Sequence, residues 1–145
     1  MTGFAPAYDL SRFVSAQAPV YATALAELRA GRKRSHWMWF IFPQLRGLGS
    51  SAMSQRYGIA GLGEARAYLA DPVLGARLIE ATGVVATSNA ASLRALFGEP
   101  DDVKFVSSAT LFALADGTDA NVFLTALERW NGGALDPRTL ALLNG

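Results

Sequence analysis

The chain has 145 residues, of which 51% are hydrophobic and 17% are charged, and its formal net charge is +1. We expect one domain, residues 1–145, with enough apolar content for a core, which excludes disorder as the main state. The near-neutral charge argues against a nucleic-acid partner, and the absence of cysteine excludes disulfides and thiolate chemistry. Residues 1–6 show no signal-peptide pattern, and no apolar run approaches the roughly 18 residues of a membrane span. We therefore expect a cytoplasmic protein without a membrane partner.

Capping residues, prolines and glycines divide the chain into short amphipathic helices. Predicted starts include Asp9, Pro19, Ser51, Gly63, Asp71-Pro72, residues 88–89, Asp119 and Asp136-Pro137, and predicted stops include Gly31, Gly58, Gly98 and Gly132-Gly133. Strand alternation is not convincing anywhere along the chain. The sequence predicts an all-α fold of eight or nine short helices with no substantial sheet.

The most unusual stretch is SHWMWFIFPQ, residues 35–44, which contains the only histidine and two of the three tryptophans. Periodicity does not decide between helix and strand here, but no partner strand is visible, so we predict a buried helix capped by Ser35 and ended by Pro43. Side chains of a helix point in all directions, so not every ring can face one core. Most of the rings are predicted to be core, and Trp37 or Trp39 is a candidate for a pocket wall that stacks on a ligand.

His36 is the only side chain here that ordinarily titrates near neutrality. Two interpretations stay open: a buried imidazole bonded to a main-chain carbonyl, or a group that contacts a ligand or transfers a proton. A single histidine without cysteines or clustered carboxylates makes a metal site improbable.

The loop that follows is rich in small and polar residues, and it predicts an anion site. Glycines allow neighbouring N–H groups to point at one spot, and hydroxyl and guanidinium groups can complete the site. The candidate ligand-binding residues are Gln44, Arg46, Gly47, Gly49, Ser50 and Ser51. A plain loop with a serine cap is the alternative. Gly-Leu-Gly falls far short of a dinucleotide fingerprint, and we expect no cofactor.

A polar set occurs near the start of a predicted helix that extends from residue 101 to 112. Asp101, Lys104 and Ser108 share one face at helical spacing, and Ser107 lies beside Lys104. A lysine next to serines resembles the general-base pairing used by some hydroxyl nucleophiles. The alternative is that the hydroxyls bond back to the helix and that the aspartate only caps it.

Four runs together resemble one known family: residues 34–44, 47–50, 57–59 and 102–112. The strings HWMWF and SSATLF are specific, and the resemblance extends over residues 9–143. It is to an uncharacterised bacterial and fungal conserved-hypothetical family, a domain of unknown function typified by a mainly α-helical mycobacterial protein. The resemblance implies an all-α cytoplasmic domain and no established activity. A more distant likeness is to helical domains that act on NAD or ADP-ribose derivatives.

Two functions from different classes remain open. The first is a site for an anionic small molecule, nucleotide- or ADP-ribose-like, between the segments of His36 and Lys104. Hydrolysis there would use His36 or Asp101 as acid and base, with Lys104 holding charge, so these three are the candidate catalytic residues. The second is a non-enzymatic interaction module that uses an exposed apolar patch, with its protein partner unknown. The sequence does not decide between these two functions, because it does not show which of the residues lie close together in the fold.

Overall fold

The structure, a computed structural model, describes residues 8–144, and in these residues the chain forms ten α-helices. They are α1 (Ser11–Gln17), α2 (Tyr21–Arg29), α3 (Met38–Ile41), α4 (Ala52–Tyr57), α5 (Leu62–Ala70), α6 (Leu74–Ala86), α7 (Leu93–Phe97), α8 (Asp101–Asp116), α9 (Val122–Asn131) and α10 (Pro137–Asn144). This confirms the all-α prediction, with ten helices in the described part of the chain instead of eight or nine. Residues 1–6, for which no signal peptide is predicted, lie outside that part. None of the helices described combines the length and the apolar character that crossing a membrane requires.

Side-chain caps begin several helices. Ser51 Oγ accepts a hydrogen bond from the main-chain N–H of the residue three positions on (3.1 Å), as predicted. The predicted starts at residues 88–89 and at Asp119 were wrong by a few residues. Ser92 and Asn121 cap α7 and α9 instead, each accepting from the N–H three residues later, at 2.9 and 3.0 Å. Several polar residues in each of these loops were possible caps, and tertiary packing selected between them.

The helix predicted across residues 36–42 is wrong in its extent. Only the four residues of α3 are helical, and Trp37, with φ −138°, precedes them in a non-helical conformation. The chain before α3 is held by a contact from outside the segment. The main-chain N–H groups of Arg34 and Ser35 donate to the Glu27 carboxylate of α2, at 2.8 and 2.9 Å.

The core is centred on α8, which packs against α5, α7 and α9. Its Phe105 ring lies 5.1 Å from the centroids of both Phe42 and Phe97, and Trp37 lies 6.2 Å from Phe42. Trp37 and Phe42 are each 1% exposed, whereas Trp39 is only half-buried. Most of the ring cluster therefore belongs to the core, and Trp39 is left at its edge.

A single parallel bridge joins Leu45 to Ile59 and ties the loop after α3 to the residues after α4. The Arg46 N–H donates to the Ile59 carbonyl at 2.8 Å, and the Ile59 N–H donates to the Gln44 carbonyl at 2.9 Å. Gly58 makes this approach possible, because a Cβ there would lie 2.5 Å from the Ser54 carbonyl oxygen. The bridge places α4 beside α3.

Candidate functional site

The segment between α2 and α3 is organised by one carboxylate, Glu27. Besides the two main-chain donors described above, its oxygens accept the Ser35 hydroxyl at 2.5 Å and the Trp37 indole N–H at 2.9 Å. Burial tends to raise the pKa of Glu27, but the hydrogen bonds from Ser35, Arg34 and Trp37 outweigh it and lower that pKa to about 2. The carboxylate is therefore ionised at neutral pH and holds this segment in one conformation.

Lys33 joins the same segment to the first turn of α8. Its ammonium donates to the Ser35 carbonyl at 2.6 Å and lies 2.9 Å from Asp101 Oδ2. It also lies 5.0 Å from the Trp37 ring centroid. The Lys33 side chain is 8% exposed, so its charge is largely used within the protein. The pair fixes the distance between α8 and the chain that leads into α3.

Lys104 is the second lysine that lies beside the Asp101 carboxylate. Its ammonium lies 3.6 Å from Asp101 Oδ1 and 4.2 Å from the centroid of the Trp39 ring, a cation–π contact. The Lys104 side chain is 25% exposed. One carboxylate thus faces two ammonium groups, and the more accessible ammonium keeps hydrogen-bonding capacity, since –NH₃⁺ carries three donors.

These groups surround a cavity of about 280 Å³, which we call the tryptophan cavity. Its polar lining consists of Lys33, His36, Asp101 and Lys104, and its apolar lining of Trp37, Met38, Trp39 and Met53. The N-terminus of α8, a helix of 16 residues, adds positive partial charge near Lys104. The surplus of positive charge over an aromatic wall is suited to a small anion with a planar or apolar part.

His36 lies at the rim of this cavity, exposed, in a bend before α3. It is therefore not the buried imidazole of the first interpretation. Its exposure leaves it accessible to a ligand.

The loop residues proposed for an anion site lie outside the cavity lining. Arg46 donates to the carbonyls of Gln55 and Gly58 at 3.2 and 3.1 Å, so its guanidinium supports α4. The Gln44 side chain is 8% exposed, and its main chain takes part in the bridge to Ile59.

The glycine turn has a similar structural role. Gly47 has φ +107°, a conformation that favours glycine, and Ser50 and Ser51 are exposed, with Ser51 used as the α4 cap. Gly49 lies against Ser54, and a Cβ there would also come within 4.0 Å of the Trp39 ring. None of the residues of this turn lines the tryptophan cavity.

The serines of α8 form no hydrogen bond with Lys104 in the described structure. Ser107 Oγ donates to Asp136 Oδ2 at 2.9 Å and to the Val103 carbonyl at 3.2 Å, which makes it part of the buried cap of α10. The Ser108 hydroxyl is buried and has no hydrogen-bond partner within the described structure. Neither serine contacts the Lys104 ammonium, so the geometry offers no lysine–serine pair for nucleophilic chemistry.

Four residues that shape the cavity were not predicted as site residues: Lys33, Met38 and Met53, which line it, and Glu27, which holds the neighbouring segment. No sequence pattern points to Glu27, because its role depends on four hydrogen-bond donors that lie outside its own helix. Met53 of α4 lines the cavity and is 37% exposed, and only the fold brings it beside Trp39. Among residues 8–144, no three His, Cys, Asp or Glu side chains cluster closely enough to hold a metal ion.

Residues 7–143 match a family described as "Protein of unknown function (DUF1810)", and the chain belongs to this family. Among solved structures, it is similar to the conserved hypothetical protein Rv1873 from Mycobacterium tuberculosis, known from a crystal structure at 1.38 Å. The two share 57% identity over 95% of this chain and 98% of that one, with a TM-score of 0.90. No curated protein matches the chain. The family resemblance seen in the sequence is thereby confirmed.

Proposed function

We propose that this protein binds a small anionic ligand in the tryptophan cavity, with Lys104 as the principal contact for the anion and Trp39 as the wall. The observation that carries the proposal is the sharing of one carboxylate by two ammonium groups. Asp101 lies 2.9 Å from the buried Lys33 ammonium but 3.6 Å from the more exposed Lys104 ammonium. Lys104 can therefore turn a donor to a ligand without leaving a charge unpaired inside the protein.

The size of the cavity limits the ligand. A volume of about 280 Å³ is just below the range of about 300–1,000 Å³ that is usual for small-molecule pockets. It suits a phosphate or carboxylate attached to one ring, such as the monophosphate end of a nucleotide. A whole dinucleotide or ADP-ribose molecule would have to extend beyond the cavity. We therefore expect a nucleotide-like ligand to occupy the cavity with only one end of the molecule.

Binding is better supported than hydrolysis. Asp101 is paired with Lys33 at 2.9 Å through Oδ2 and with Lys104 at 3.6 Å through Oδ1, and the Ser107 hydroxyl is bonded to Asp136. His36 is the remaining candidate for proton transfer, and it lies at the rim. An acid–base step would therefore depend on His36 alone, which makes His36→Ala the variant that separates a hydrolase from a binding protein.

The alternative of an interaction module has less support. Within residues 8–144, the exposed large hydrophobic residues are Val14, Met53, Val73, Ile79, Val103 and Leu142. They belong to five helices and one turn, so no single helix presents an exposed face made of several of them.

The proposal is tested by thermal stability in the presence of orthophosphate, AMP and ADP-ribose. A ligand at about 100 times its dissociation constant adds about 2.7 kcal/mol to the free energy of unfolding. We expect AMP to stabilise the wild type and Lys104→Gln to weaken its binding at least tenfold. Arg66→Gln removes one exposed positive charge on α5 and is the matched control.

A second variant separates the anion contact from the wall. Trp39→Leu is expected to weaken binding of AMP while leaving that of orthophosphate nearly unchanged, because only AMP carries a ring. If Lys104→Gln and Arg66→Gln weaken AMP binding equally, or if none of the three compounds stabilises the wild type, the proposal is contradicted.

A further inference from the structure

A second cationic surface adjoins the tryptophan cavity along residues 32–36, which we call the arginine edge. Exposure alternates along it: Arg32, Arg34 and His36 are exposed, and Lys33 and Ser35 are half-buried. The half-buried residues are held by the contacts to Asp101 and Glu27 described above. The exposed residues therefore project from a main chain that is already fixed.

The main chain of the edge is bound from two sides. The Lys33 N–H donates to the Leu96 carbonyl of α7 at 2.7 Å, and the next two N–H groups donate to Glu27 of α2. A ligand that binds here does not have to order the backbone, because folding has already done so. Preorganisation of this kind raises affinity by lowering the entropic cost of binding.

Two shallow, open depressions follow the edge. One, of about 350 Å³, is lined by Arg32, Lys33 and Arg34. The other, of about 490 Å³, is lined by Arg32 and Lys33 together with Arg94, Ala95, Phe97 and Gly98. No carboxylate contributes to either lining. Lys33 also lines the tryptophan cavity, so one residue is common to all three spaces.

The charges on this surface are available to a ligand. Within residues 8–144, Arg32 and Arg34 form no salt bridge. Arg94 pairs with Glu99, but both side chains are more than half exposed, and an exposed pair of this type contributes little. A phosphate can replace such a partner, and arginine binds phosphate through two parallel hydrogen bonds.

We propose that the ligand of this protein carries more than one phosphate group, one bound by Lys104 in the tryptophan cavity and the next bound by Arg32 and Arg34 on the arginine edge. This inference rests on the proposed function and narrows its ligand class to oligophosphates, free or attached to an organic group. The Cα atoms of Arg32 and Arg34 are at most about 7 Å apart, because they are two residues apart in the chain. One phosphate unit can therefore be reached by both guanidinium groups.

The test compares orthophosphate with tripolyphosphate by isothermal titration calorimetry at constant ionic strength. Wild-type protein is expected to bind tripolyphosphate at least tenfold more tightly than orthophosphate. The double variant Arg32→Gln/Arg34→Gln is expected to lose that advantage, and the orthophosphate binding that it retains is expected to depend on Lys104. Both side chains are exposed, so the fold is expected to persist, which circular dichroism checks.

The control Arg56→Gln/Arg66→Gln removes two exposed charges from α4 and α5. It is expected to change either affinity less than twofold. If both double variants weaken tripolyphosphate binding equally, or if the edge variant has no effect on it, the inference is overturned.

If Lys104→Gln leaves orthophosphate binding unchanged, the proposed function fails, whatever the arginine variants show. Tripolyphosphate binding that requires the arginines but not Lys104 would also overturn the inference.

Discussion

At the scale of single residues, Glu27 shows how one carboxylate on a helix can determine the shape of a neighbouring site. It accepts hydrogen bonds from two main-chain N–H groups, a hydroxyl and an indole, all from residues 34–37. A neutral carboxamide has a single acceptor oxygen and cannot satisfy four donors. The identity of residue 27 therefore controls a segment that is seven to ten residues away in sequence.

We predict that Glu27→Gln lowers the free energy of unfolding by about 1–3 kcal/mol, the cost of leaving partly buried donors without a charged acceptor. Urea denaturation monitored by tryptophan fluorescence measures this change. Glu128→Gln, an exposed site on α9, is the matched control and is expected to have little effect. Equal stability of the two variants would show that the hydrogen bonds of Glu27 contribute nothing net.

The same residue gives a pH dependence. The pKa of Glu27 in the folded protein, about 2, is below its ordinary value of 4.5, so the carboxylate stabilises the fold above about pH 4.5. This contribution is lost as the pH falls through the folded pKa. The stability difference between wild type and Glu27→Gln is therefore expected to shrink between about pH 5 and pH 2. A difference that stays constant over this interval would contradict the assignment of the stabilisation to the ionised carboxylate.

At the scale of elements, local signals predicted some helices better than others. Ser51 was predicted as a cap and is one, because the donors it satisfies lie within three residues of it. The helix predicted from residue 36 fails at its start, and the chain just before it is fixed by hydrogen bonds to Glu27 of another helix, which the local sequence does not show. The loop of Arg46 resembled an anion site in sequence, but the guanidinium is used by main-chain carbonyls of α4 that only the fold brings near.

The junction of α3 and α4 depends on Gly58. A Cβ at this position would lie 2.5 Å from the Ser54 carbonyl oxygen and 2.8 Å from the Cα of Arg46, so the backbone would have to move. We predict that Gly58→Ala costs about 1–3 kcal/mol in the free energy of unfolding. Gly61→Ala is the control, because no atom lies within 4 Å of its added Cβ. Comparable urea midpoints for the two variants would contradict this explanation.

At the scale of the whole molecule, the fold was predictable and the site was predictable only in part. His36, Asp101 and Lys104 were identified from their residue types, and the structure brings all three to one cavity. Their role as a site remains a prediction. The Lys33–Asp101 pair, which joins the two segments, could not be predicted, since the two residues are separated by five helices. Tertiary packing also leaves Trp39, and not Trp37, at the edge of the core, and the dense aromatic run did not show which of the two would lie there.

The most direct test of the tryptophan cavity uses the three indole N–H signals of a ¹⁵N-labelled sample. Trp37 donates to Glu27 and Trp130 donates to the Val85 carbonyl, whereas Trp39 lines the cavity beneath Lys104. Titration with AMP is expected to shift the Trp39 signal strongly and to leave that of Trp130 in place, and Lys104→Gln is expected to weaken this response at least tenfold. A Trp39 signal that does not move at millimolar AMP, or that moves no more than that of Trp130, would contradict the account.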